Sequence, residues 1–126
     1  MQREDKIKYL KQYRENVTEC KTIEGQIKAW EELKNIERIE EGNTQKLKKE
    51  IYTKQKELEE KLTKTKNMLD DVIATLDKLD NTEEKLVLIN RYILGLSMED
   101  TAKNIGYSTR STYRIFNGAI RNIKIE

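Results

Sequence analysis

Apolar residues at Ile7, Leu10, Tyr13, Val17, Cys20, Ile23, Ile27, Trp30, Leu33, Ile36 and Ile39 recur every three or four positions. That spacing gathers them on one side of a helix and predicts a long amphipathic segment at the start of the chain. Gly25 and the run from Thr18 to Thr22 weaken its middle, so a kink or a division into two shorter helices stays open. Glu41-Gly42-Asn43 is the clearest break. Glycine beside asparagine can turn the chain there, and Asn43 or Thr44 can cap the helix that follows.

From Leu47 to about Leu79 the repeat tightens toward a heptad, with Lys48, Gln55, Leu62, Leu69 and Leu76 at one seam position and Ile51, Leu58, Thr65, Val72 and Leu79 at the other. Seven of these ten are apolar, and Lys and Glu crowd the outside, the usual decoration of a solvated helix. A helix of more than 30 residues spans about 50 Å, so its apolar stripe needs a partner along much of its length. The first helix can supply it by folding back as a hairpin near residues 41–43, or a second copy of the chain can supply it; periodicity does not choose.

After a polar junction at 77–82 the pattern shortens. Asn81 with Glu84 forms a capping pair, and Leu86, Val87, Leu88, Ile89, Tyr92 and Ile93 make the next helix apolar around much of its circumference. Ser97, three residues before Asp100, starts another helix, which Gly106 ends by accepting a left-handed backbone. Ser108 caps the last one. On that final helix Thr112, Ile115, Phe116, Ala119 and Ile123 form an apolar stripe, and Arg110, Arg114, Asn117, Arg121 and Lys124 a polar, cationic one opposite. Helix, tight turn and a helix with one packing face and one basic face is what a helix-turn-helix reader of duplex DNA requires, since side chains near the start of the second helix reach base edges and flanking cations meet phosphates.

Composition sharpens this picture. With 38% charged residues, no proline and five glycines, the chain reads as all-α: a long helical hairpin or coiled-coil arm over 1–80, then a three-helix DNA-binding domain over 81–126. The net charge of +2 conceals a division, because residues 1–81 hold 18 basic and 18 acidic side chains while residues 101–126 hold five and one. Positive potential is therefore local to the reading helix. The single cysteine, Cys20, lies on the apolar stripe and reads as a core thiol; with no histidine in the chain, metal sites built from Cys and His are excluded and no cofactor is expected. There is no glycine loop for phosphate and no histidine base, so no enzyme is expected. Neither a membrane-spanning run nor a secretory signal is visible, which points to the cytoplasm.

The run Arg91-Tyr92, Gly95-Leu96-Ser97, Ala102, Ile105-Gly106-Tyr107-Ser108, Thr112 and Arg114 resembles region four of bacterial sigma factors. The whole chain is similar to small phage regulators of the RinA and ArpU type, late-transcription activators with a helical N-terminal part. The resemblance implies that Thr109, Arg110, Tyr113 and Arg114 face bases and that Ser111, Asn117 and Arg121 lie on or beside the phosphate-facing surface; Lys124, from its place on the basic stripe, is expected to add a further phosphate contact. Asn90 stands where those families carry leucine, and Thr101 where they carry isoleucine. The function expected is a sequence-specific regulator at a phage or prophage late promoter, its partners duplex DNA, RNA polymerase and, through the arm, a second copy of itself. The competing expectation is a helical adaptor or assembly module, either one gripping RNA polymerase without specific DNA or a small DNA-packaging subunit.

Overall fold

The computed structural model describes residues 1–36 and 41–125, the side chains of 41–44 excepted, and every regular element among them is helical. In order these are α1 (Arg3–Lys34), α2 (Glu41–Leu76), α3 (Thr82–Leu88) running on into a π-helical turn (Ile89–Ile93), α4 (Met98–Ile105) and α5 (Thr109–Asn122). The all-α expectation holds. The chain divides into two compact units, residues 16–66 and residues 1–15 with 67–126.

In the unit of residues 16–66, the later part of α1 lies antiparallel to the earlier part of α2. Ile23 and Ile27 pack on Ile51 with Trp30 and Leu58 beside them, and nearer the other end Cys20 Sγ lies 3.7 Å from Thr65 Oγ1. Cys20 is buried and free, a core thiol as expected. Lys61 and Glu19 form an ion pair across the two helices, and that hydrogen bond is the main reason the Lys61 ammonium is held above its ordinary range. Within this unit the α2 stripe at Ile51, Leu58 and Thr65 packs on α1 of the same chain. Only one of the two heptad positions is used here, because Ile51, Leu58 and Thr65 face inward while Lys48, Gln55 and Leu62 are exposed.

Two local expectations change. α1 runs without interruption through Gly25 and the threonine run; the Thr22 hydroxyl donates to the Thr18 carbonyl at 3.1 Å, a bond that accommodates threonine inside a helix. α2 already includes residues 41–43, so Glu41-Gly42-Asn43 lies within a helix and is not a break. Ile39 and the caps offered by Asn43 and Thr44 lie outside the described residues and side chains.

The other unit holds the larger core. Leu10 of α1, Val72 and Leu76 of α2 and Leu79 after it meet Val87, Leu88 and Tyr92, Met98 of α4, and Phe116, Ala119, Ile120 and Ile123 from the end of the chain. Asn81 caps α3 as predicted, its Oδ1 accepting from the Glu84 amide at 2.9 Å. The end of α3 widens: Leu94 N donates to Ile89 O, five residues back, and Leu96 N reaches Asn90 O at 2.9 Å. Gly95 closes this turn with φ +73°, and the Arg14 guanidinium lies where a β-carbon would stand, 2.7 Å from it at the nearest atom.

Candidate nucleic-acid interface

The turn between α4 and α5 is built from three local devices that the sequence announces. Ser97 Oγ accepts from the Asp100 amide at 3.1 Å and starts α4. Gly106 ends it with φ +80° in the left-handed region, while the amides of Gly106 and Tyr107 both donate to Ala102 O at 3.0 Å. Ser108 Oγ then accepts from Ser111 N at 3.1 Å, so α5 begins two residues after α4 has closed.

α5 is held by one face. Thr112, Phe116, Ala119 and Ile120 are buried, and Ile115 is half-buried. Phe116 stacks at a tilt against Tyr92, with ring centroids 6.3 Å apart, and the Thr112 hydroxyl returns to Ser108 O at 2.9 Å. Burial pushes the Tyr92 phenol above its usual range, against the opposing pull of Arg91 and Arg3. The opposite face carries Thr109, Arg110, Tyr113, Arg114, Asn117 and Arg121, all exposed, with Ser111 half-buried beside them. The amphipathic division predicted for this helix is therefore present.

Five of those residues, Arg110, Tyr113, Arg114, Asn117 and Arg121, line one shallow depression of about 580 Å³, and a sixth, Arg3, comes from the first turn of α1. No carboxylate lines it, and the first turn of α5, the positive end of its dipole, carries no acidic residue. On the flank, Glu84 accepts from Asn122 Nδ2 at 2.9 Å and approaches Gly118. A polyanion with evenly spaced charges suits such a surface.

Lys124 is displaced from the stripe. α5 ends at Asn122, and Ile123 turns extended (φ −68°, ψ 136°) with its side chain buried, so Lys124 follows the helix on an exposed, non-helical segment. Lys6 of α1 explains the stop: its Nζ donates to Ile120 O at 2.9 Å and to Arg121 O at 3.2 Å, carbonyls that another helical turn would have used. Arg3 and Lys6 are the members of this neighbourhood that sequence reasoning missed; nothing local marks them, since both sit on a helix rich in charge.

Among the described residues no group of His, Cys, Asp and Glu could hold a metal ion, and no helix is long and apolar enough to cross a membrane. A family model described as ECF sigma factor matches residues 34–124, which takes in the whole of α2 to α5. No curated protein and no solved structure matches the chain.

Proposed function

The chain belongs to the ECF sigma factor family, a family of non-enzymatic, DNA-binding regulators of transcription that act with RNA polymerase, and from that membership we propose that α5 reads a specific duplex sequence. The observation that carries the proposal is the exposed, carboxylate-free arginine face of α5, presented directly after a capped tight turn. Arg110 and Arg114 read bases, each guanidinium fork being matched to the two acceptors on guanine, and Tyr113 packs on a thymine methyl or a sugar. Thr109 stands at the start of α5 beside them. Ser111, Asn117, Arg121 and, from beyond the helix, Lys124 meet phosphates.

The finer role we propose is activation of a phage or prophage late gene inside a bacterial cell, with α4 and α5 as the DNA-reading part of residues 81–126 and the hairpin of residues 1–80 as the part available to RNA polymerase. The resemblance to the RinA and ArpU regulators supports it. A homodimer through the arm would have to use outward residues such as Tyr52 and Leu62, because Ile51, Leu58 and Thr65 already pack within the chain. The test is recovery of fragmented DNA from the encoding replicon by the purified protein at ~150 mM salt, where phosphate contacts alone give weak, unselective binding. Enrichment of one short site upstream of a late operon is the expected result; uniform recovery of all fragments would overturn specific reading.

A further inference from the structure

We propose that Arg3 is itself a DNA-phosphate ligand, so that the first turn of α1 and the outer face of α5 form one arginine cradle for the duplex backbone. The inference rests on the DNA-reading function above and extends it to a residue 114 positions from Asn117, its contact in the cradle.

Two contacts hold Arg3 against α5. Its Nη2 donates to Asn117 Oδ1 at 2.9 Å, and its guanidinium lies over the Phe116 ring, 5.8 Å from the centroid. One turn on, Lys6 ties α1 to the last carbonyls of α5. Of the five N–H groups on the guanidinium, one is spent on Asn117 and the others stay available to an acceptor. The bond also occupies the Asn117 carbonyl and leaves its NH₂ group, a donor, for the same ligand. A phosphate oxygen accepts from both.

The charge balance points the same way. Arg3, Arg110, Arg114 and Arg121 line one depression without a carboxylate among them, and none of the four forms an ion pair among the described residues. Like charges gathered in this way repel, and a bound polyanion relieves the repulsion. The depression is open and shallow at about 580 Å³, which fits a stretch of duplex backbone rather than an enclosed small anion. Arg3 meets the α5 face at Asn117, a residue assigned to phosphate rather than to bases, so its contribution is to affinity and not to sequence preference.

The experiment is fluorescence anisotropy of the full chain with its recovered site and with an unrelated duplex over a salt series, comparing wild type, Arg3→Met and Arg3→Lys. Methionine keeps an apolar stem on Phe116; lysine keeps the charge. One lost phosphate contact lowers the log–log salt slope by about 0.9, which corresponds to about fivefold weaker binding at ~150 mM salt when extrapolated from 1 M. Arg3→Met should show that loss equally on both duplexes, with the preference between them unchanged, and Arg3→Lys should keep the wild-type slope. An unchanged slope in Arg3→Met overturns the proposal: with affinity also unchanged Arg3 is a bystander, and with affinity and melting temperature both lowered it is only a staple between α1 and α5. A loss seen with RNA polymerase but not with duplex overturns it as well. Those outcomes leave the DNA-reading function standing, whereas a wild-type chain that binds no duplex removes both.

Discussion

Asn104 Nδ2 donates a hydrogen bond to Asn90 Oδ1, joining the last turn of α4 to the π-helical end of α3. Asn90 is 3% exposed and its own Nδ2 donates to Leu86 O at 2.7 Å, so both ends of its amide are satisfied. An amide thus stands where leucine is expected because a partner exists on α4, and it fixes the approach of the two helices that precede α5. Asn90→Ala should cost about 1–3 kcal/mol, from the lost hydrogen bonds and the space left behind. The urea midpoint checks this, and an unchanged midpoint would mean the pair does not hold the helices together.

Thr101, the other departure from the expected pattern, has the opposite character. It is fully buried, and its hydroxyl has no hydrogen-bond partner among the described residues. Thr101→Val keeps the shape and removes an unsatisfied polar group, so it should stabilise the unit by about 1 kcal/mol. A lower melting temperature in the variant would show that the hydroxyl is satisfied in solution.

Two glycines should respond with opposite signs. Gly106 has open space around it but φ +80°, so Gly106→Ala meets only the backbone cost of the left-handed region, about 1–2 kcal/mol of destabilisation. Gly25 lies inside α1, also with nothing within 4 Å of an added β-carbon, and Gly25→Ala should stabilise by about 0.5–1 kcal/mol. Matched denaturation curves decide it; the same sign for both would contradict either the left-handed end at Gly106 or the unbroken helix at Gly25.

The Tyr92 phenol, pushed above its usual 10.0 by burial, links the α5 anchor to pH. A folded-state pKa above the unfolded one means that the native protein holds this proton more tightly. The contribution is complete below about pH 10 and is lost as pH rises through the native value. Tyr107, raised first by its hydrogen bond to Glu83, shares the direction. The stability difference between wild type and Tyr92→Phe should therefore be flat up to about pH 9 and shift against the wild type above about 10. A difference constant through that range would count against a buried, neutral phenol under α5.

What was legible in the chain was the chemistry that acts within a few residues. Asn81, Ser97 and Ser108 as caps, Gly106 as a terminator and the two faces of α5 all follow from local hydrogen bonding and a 3.6-residue period. The family match over residues 34–124 agrees with the sigma-like pattern around Gly106. The illegible part depends on contacts distant in sequence. Lys124 leaves the helical stripe because Lys6 takes the carbonyls of Ile120 and Arg121 and Ile123 turns into the core. Arg3 joins the α5 face for the same reason, since no periodicity relates residue 3 to residue 117. α2 runs through the Gly42 signal, and the side chains there lie outside those described.

The most direct test of base reading by α5 compares dissociation constants of wild type, Arg110→Ala, Arg114→Ala and Lys124→Ala on the recovered site and on a scrambled duplex. Arg110→Ala and Arg114→Ala should each lose about 1–3 kcal/mol on the site and narrow its advantage over the scrambled sequence, while Lys124→Ala weakens both duplexes alike and flattens the salt slope. Equal losses on every sequence from all three changes would contradict base reading and reduce the arginine face to charge alone.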